Sequence, residues 1–381
     1  MKYLAFRLPD LTPLHNDVPL SGVTLGRGKN QAGVLEATLH RATAYQQIAV
    51  EGTSDTVELI RERGTLLVSW DGNTARAFIV ETVEPDSEEQ EQLRIQAFGH
   101  GAVLDGTRWS DRARNFIETD PLSIVRELWE HSSSFDDMID VTVDSTRSPV
   151  RVGEEEREVE FQTGDGTSVS FDTGPRRLNW WTTTDMGKVF ADLSDETPFE
   201  WAEQTIIDMD SDDAPRFHIR LGYPRLEAPD RSETHHFEVG LNVINPDHSD
   251  DEEHQFFSEV FVLGNGEGSE KRRGEATRRN HGRLRTVRTV EDQGITSNRL
   301  ADERARKAVE AAESDEKFWE SITVLPHPAA EPGTYDVGDV ITVKGDTAWG
   351  WHEQRCRITE LSHTVADDTV TLTLERWQGG S

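Results

Sequence analysis

Sulfur and lysine are scarce in this chain. One cysteine, Cys356, stands among 381 residues, which excludes an intrachain disulfide and any metal site built on several thiolates. Only seven of the 40 basic residues are lysine; the others are arginine. No apolar run approaches the roughly 18 residues that a membrane-crossing helix needs. The opening Met1-Lys2-Tyr3-Leu4-Ala5-Phe6 has no hydrophobic stretch of signal-peptide length. These absences predict a soluble chain, cytoplasmic as synthesised, with no membrane insertion of its own.

Carboxylate is what the chain has in excess: 72 acidic residues give a formal net charge of -32. Disorder is one route to such a balance. However, 34% of residues are hydrophobic, and 10 Trp and 15 Phe are spread through the chain among dispersed acids, which predicts packed cores. Many carboxylates, few lysines and a modest apolar fraction together fit molar salt, where the Debye length falls to about 3 Å and self-repulsion is screened. The composition therefore predicts a halophilic protein, and the length predicts two to four domains.

Period-two alternation dominates the pattern. Leu93, Ile95 and Ala97 alternate with polar neighbours, as do Phe217, Ile219, Leu221 and Tyr223, then Phe237, Val239, Leu241 and Val243, and finally Val370, Leu372 and Leu374. Asp71-Gly72, Asp165-Gly166 and Gly338-Asp339 supply turns, so barrels or sandwiches are expected. Three helices interrupt the strands. The first opens on Asp120-Pro121, a cap followed by proline, with Leu122, Val125, Leu128 and Trp129 on one stripe. The second follows Thr184, with Met186, Val189, Phe190 and Leu193 at helical spacing. The third begins after Thr296-Ser297 and runs to about Ala312, lined by Leu300, Ala301, Ala305, Ala308 and Val309.

The predicted class is mainly β with an α+β middle region. Residues 1–108 read as a first β domain and 109–250 as the α+β region, ending in an acidic loop from Asn245 to Glu253. Residues 251–317 read as a connecting strand, basic stretch and helix, and 318–381 as a second β domain.

Gly264, Gly266 and Gly268 follow the strand Val260-Phe261-Val262-Leu263. A glycine loop after a strand can cradle phosphate, but the lysine-hydroxyl pair of a P-loop is absent, and a turn with positive φ angles is the favoured reading. Between residues 271 and 288 lie Lys271, Arg272, Arg273, Arg278, Arg279, Arg283, Arg285 and Arg288 against one acid, Glu275. In so acidic a chain this stretch serves either nucleic-acid phosphate or carboxylates of the same or a neighbouring subunit. The subunit contact is preferred, with Arg272, Arg273, Arg278, Arg279, Arg283 and Arg285 as interface candidates. Carboxylate pairs are uninformative among so many acids. His235 and His236 are strand neighbours facing opposite sides, and Cys356 reads as a small buried hydrophobe. No catalytic residue, metal ligand or cofactor site is expected.

The order of segments resembles the hub proteins of tailed-virus baseplates. Phe257-Ser258-Glu259-Val260-Phe261-Val262-Leu263-Gly264 is similar to the family's strand into a glycine turn. Asn280-His281-Gly282-Arg283-Leu284-Arg285 resembles its tyrosine-glycine-arginine-arginine-glutamate stretch, with His281 where tyrosine often stands. Gly294-Ile295-Thr296-Ser297 with the alanine-rich helix, and Pro332-Gly333-Thr334-Tyr335-Asp336-Val337-Gly338-Asp339, resemble its capped helix and final barrel. Asn30-Gln31-Ala32-Gly33-Val34-Leu35-Glu36-Ala37-Thr38-Leu39, Trp70-Asp71-Gly72 and the helix at 185–195 leading into Pro198-Phe199-Glu200-Trp201 match its earlier parts.

The resemblance implies two tube-type β-barrels per chain, and a homotrimeric ring that offers six such barrels to a sixfold tail tube. It implies a spike or fibre on the far face, and a channel through which viral DNA passes unbound during genome ejection. The localisation it implies is the virion tail baseplate, with no cofactor. No active site belongs to this portion of the family, and the chain stops at Ser381, straight after the last barrel strand, so no enzymatic activity is expected. Like charge would keep DNA from sticking to an acidic lumen, with the arginines turned to protein neighbours. The alternative is a glycan-binding or glycan-degrading tail or secreted protein, which would set Trp180, Trp181, Trp349 or Trp351 on a flat exposed platform.

Overall fold

The computed structural model describes the chain except residues 51–53, 73, 88, 90, 154–156, 163–167, 174, 184, 210–213, 228, 249–256, 267, 279–283, 293–294, 296–297, 312–318, 348–349 and 378–381. It divides into two compact units. The larger comprises Met1–Glu154, Pro175–Pro246 and Ser321–Ser381; the smaller comprises Glu155–Gly174 and Asp247–Glu320. Strand accounts for 47% and helix for 14% of the structure, so the mainly β expectation stands.

The principal strands are β1 (Lys2–Arg7), β2 (Ser21–Gly28), β3 (Gln31–His40), β4 (Thr65–Trp70), β5 (Ala75–Pro85), β6 (Gln92–Gly99), β7 (Glu200–Ile206) and β8 (Arg216–Gly222). They continue with β9 (Glu259–Leu263), β10 (Arg273–Thr277), β11 (Val287–Glu291), β12 (Trp319–Val324), β13 (Val340–Thr347), β14 (Gly350–Thr364) and β15 (Thr369–Arg376). The helices are α1 (Pro121–Ser132), α2 (Met186–Glu196) and α3 (Asn298–Ala311).

In the larger unit one sheet runs β8-β7-β5-β6-β3-β2-β14-β15-β12, with β1 and β4 paired beside β5. Among the described residues no strand order closes on itself; the two expected barrels do not appear as closed barrels. The N-terminal and C-terminal β segments instead share an edge. Strand β14 pairs over its first half with β13, from Val340↔Arg357 to Thr347↔Gly350. Its second half pairs with β2, from Glu360↔Gly28 to Thr364↔Thr24. A bulge between Ile358 and Glu360 in the β14–β15 ladder marks the change, as bulges do where a strand bends.

Alternation explains which residues enter the cores. On one face of the first β segment Val23, Leu25, Leu35, Ala37, Leu39, Val80, Leu93, Ile95 and Ala97 pack together. On the other face Leu66 and Val68 share a core with Leu122, Val125, Leu128 and Trp129 of α1 and Met186, Phe190 and Leu193 of α2. Each fully buried large apolar side chain there is worth about 1.5–3 kcal/mol. Asp120 caps α1, its Oδ1 accepting from Leu122 N at 3.0 Å. Asp185 caps α2, accepting from Lys188 N at 3.2 Å.

Two expectations need correction. The run Phe237 to Val243 is not one strand: the strand ends at Glu238, Gly240 takes φ +86°, and Leu241 is exposed. The break is held by Asn242, whose side chain accepts from Glu238 N at 2.9 Å and donates to His236 O at 2.8 Å. The acidic loop expected from Asn245 begins as strand through His248; residues 249–253 lie outside the described residues, as does the Thr296-Ser297 cap.

A buried charge cluster joins distant parts of the larger unit. Arg357, 1% exposed, grips Glu200 with both ends of its guanidinium, at 2.8 and 2.6 Å. It also donates to Glu375 at 3.1 Å and to the carbonyls of Gly338 and Leu226. Lys29 closes the cluster at 2.5 Å from Glu375 and 3.5 Å from Glu200. Burial pushes the Glu200 carboxyl up, but the hydrogen bonds and charge of Arg357 outweigh it and hold the group below the usual carboxylate range.

Candidate assembly surface

The smaller unit carries the arginine-rich stretch. Residues 257–311 hold 12 basic against 9 acidic side chains within a chain of net charge -32. Strand β9 is central, with β10 antiparallel on one side and β11 parallel on the other. Val260 and Val262 point toward α3 and pack with Phe257, Ile295, Ala301, Ala305 and Val309. The helix approaches so closely that a Cβ on Gly274 would stand 2.1 Å from the Ala301 carbonyl carbon. Helix side chains also cover the outer edge of β10: Asn298 Oδ1 accepts from Arg273 N at 3.0 Å, and Asp302 Oδ1 from Glu275 N at 3.2 Å. The other edge is different. No described strand pairs with the outer side of β11, and Val287, Arg288 and Thr289 on it are exposed.

The arginines gather around this sheet. Arg273 pairs with Glu275 and lies over the Phe261 ring, 5.4 Å from its centroid. Arg285 donates to Glu259 at 2.6 Å, and Arg288 lies 5.3 Å over Phe257. Lys271 pairs with Glu291 at 3.4 Å. Arg272 is half-buried beside Gly264, and the Arg278 amide donates to Ser258 O at 2.8 Å. Arg279 and Arg283 lie outside the described residues. Next to this cluster Leu284 is 90% exposed.

The glycine loop is a turn. Gly266 and Gly268 take φ of +124° and +57°. The amides of Gly264 and Asn265 donate to Arg272 O and Ile295 O at 2.7 and 2.9 Å, and so are engaged within the protein. A phosphate cradle needs such amides directed outward.

Elsewhere, Trp109, Trp129 and Trp319 are fully buried, whereas Trp180, Trp181 and Trp351 are exposed. Trp180 and Trp181 sit on a turn closed by Asn179 and Thr183, and Arg108 donates to Trp180 O from two guanidinium nitrogens. Their rings meet at 84° with centroids 5.3 Å apart, so they present an edge and a face, not a flat platform.

One arrangement resembles a hydrolytic triad: His218 lies 2.8 Å from Asp144 through Nε2 and 2.8 Å from Thr142 through Nδ1. The Thr142 hydroxyl donates to the Phe217 carbonyl at 3.0 Å, however, and Asp144 also accepts from Leu221 N at 3.0 Å. These contacts tie the strand Val141–Val143 to β8. His235 bridges Thr234 and Thr334; burial and then the charge of Arg231 lower its pKa. Cys356 is buried, which pushes its thiol up to about 12. Among the described residues no group of three or more His, Cys, Asp or Glu could hold a metal ion, and no helix is long and apolar enough to cross a membrane.

The fold is one found in phage tail proteins. A 43 kDa tail protein of the Shewanella oneidensis prophage MuSo2 superposes with a TM-score of 0.58 at 13% identity, over 99% of this chain and 98% of that one. The prophage tail protein gp18 of Listeria monocytogenes EGD-e gives 0.52 at 10% identity, over 99% and 95%. A chain of the PdpA–VgrG complex gives 0.52 at 9% identity, and there the likeness covers 100% of this chain but 65% of the other. No family model matches the sequence, and no curated protein matches it by sequence.

Proposed function

We propose that this chain is a structural, non-catalytic subunit of a virus tail baseplate, of the hub type and adapted to molar salt. The observation that carries the reading is the end-to-end likeness to the MuSo2 tail protein, 99% of one chain against 98% of the other. In this reading three copies form a ring. The N-terminal and C-terminal β segments, joined edge to edge by the β2–β14 pairing, are the two tube-type elements each copy gives to a sixfold tail tube. A spike, fibre or other baseplate protein binds the far face, and viral DNA passes through without specific contacts. The arginine-rich stretch from 271 to 288, beside the β11 edge that no described strand pairs and the exposed Leu284, is suited to an acidic neighbouring copy. Arg272, Arg273, Arg278, Arg279, Arg283 and Arg285 remain the proposed contact residues. The perpendicular Trp180–Trp181 pair does not favour the glycan-platform alternative.

Light scattering in about 2–3 M salt, where the charge is screened, tests the assembly. A trimer of the 43.0 kDa chain is expected. A monomer at every concentration that also fails to join purified tails would overturn the proposal.

A further inference from the structure

The β2–β14 junction carries a second cluster of charge, and this one is incomplete. Arg27 on β2 pairs through Nη1 with Asp336 at 2.8 Å. Arg76 on β5 faces Asp71 through Nη2 at 3.6 Å. Both contacts converge on one loop, because Asp71 lies against Gly333, where an added Cβ would come within 2.7 Å of Oδ2. Tyr335, between Gly333 and Asp336 in that loop, is 2% exposed. Among the described residues three donors are buried here without a hydrogen-bond partner: Nε of Arg27, Nε of Arg76 and the Tyr335 hydroxyl.

Such a set requires an acceptor. The aspartates engage the Nη ends of the guanidiniums and leave the Nε atoms over. A single water accepts about two hydrogen bonds, fewer than the three donors present. An ion that only accepts suits it better, and a small one suits a buried site. We propose that Arg27, Arg76 and Tyr335 bind a monovalent halide, chloride in solution, and that the ion helps to lock the N-terminal β segment to the C-terminal one. The electrostatics agree. Burial and the like charge of Arg27 push Arg76 down to about 10, despite opposing aspartates, and burial raises the Tyr335 phenol. A bound anion would relieve the first strain and accept from the second group.

Bromide is the probe, since it replaces chloride and scatters anomalously. A crystal of the full chain grown in sodium bromide is expected to show an anomalous peak within hydrogen-bond reach of both Nε atoms. In solution the thermal midpoint should be higher in sodium chloride than in sodium gluconate at equal sodium concentration, which separates halide binding from general screening. Tyr335→Phe keeps the buried ring and removes one donor. It should weaken bromide binding about five-fold, the worth of one neutral hydrogen bond, and narrow the chloride–gluconate difference. No peak at these residues overturns the proposal. A peak with equal midpoints in the two salts also overturns it, and marks an adventitious ion only.

Discussion

At the residue scale, the Arg357 cluster shows how a chain with so few buried charges uses them. A buried guanidinium is tolerable when its partners fill its fork, and removing one partner leaves the charge unanswered, at about 3–5 kcal/mol. Glu200→Gln should therefore lower stability by about that amount, seen as a shifted denaturant midpoint. The pH sign follows from the lowered carboxyl. Its contribution is fully present above the ordinary Glu value of about 4.3 and is lost as pH falls through the lower folded value. The gap between wild type and Glu200→Gln should close in acid; a gap constant down to pH 2 would assign the effect to packing. None of this was legible in the sequence. Lys29, Glu200, Arg357 and Glu375 are separated by up to 346 positions, and among 72 acids no local pattern singles out two of them.

At the scale of elements, legibility follows the range of the interactions. The helix starting at Asp120-Pro121 and the alternating strand around Leu93 to Ala97 emerge as read, because cap and periodicity are properties of adjacent residues. The Phe237 to Val243 run misled because alternation says nothing of a turn imposed by Gly240 and clamped by Asn242. The closed barrels were an inference from resemblance, and a strand's partners depend on chain hundreds of residues away. Gly274 was not readable, since its need is set by α3. Gly274→Ala should push α3 from β10, an overpacking of about 1–3 kcal/mol. Hydrogen exchange would report it as faster exchange in α3 with β7 and β8 unchanged. Equal protection of α3 in both proteins would show that the helix has room to move.

At the scale of the molecule, the charge of -32 sets the conditions under which everything else holds. Self-repulsion opposes compaction until it is screened. The thermal midpoint should rise steadily from about 0.1 M to about 3 M sodium chloride under the proposed salt adaptation. A midpoint that is flat or falls over that range would leave the acidity without that explanation. In the proposed trimer the arginine-rich stretch gives the same salt a second consequence: attraction between copies weakens as it rises, so an assembly held at about 3 M must rest chiefly on apolar and backbone contacts.

The pairing of β2 with β14 also has a consequence in time. Thr24 meets Thr364, so a nascent chain exposes the unpaired edge of β2 until residue 364 has left the ribosome. At about 5–20 residues per second that interval lasts roughly 20–70 s. For so long an open strand can recruit the wrong partner, including the same strand of a sister chain on the same message. Completion of the larger sheet therefore waits on the synthesis of β14, and that one edge is open to mispairing until then.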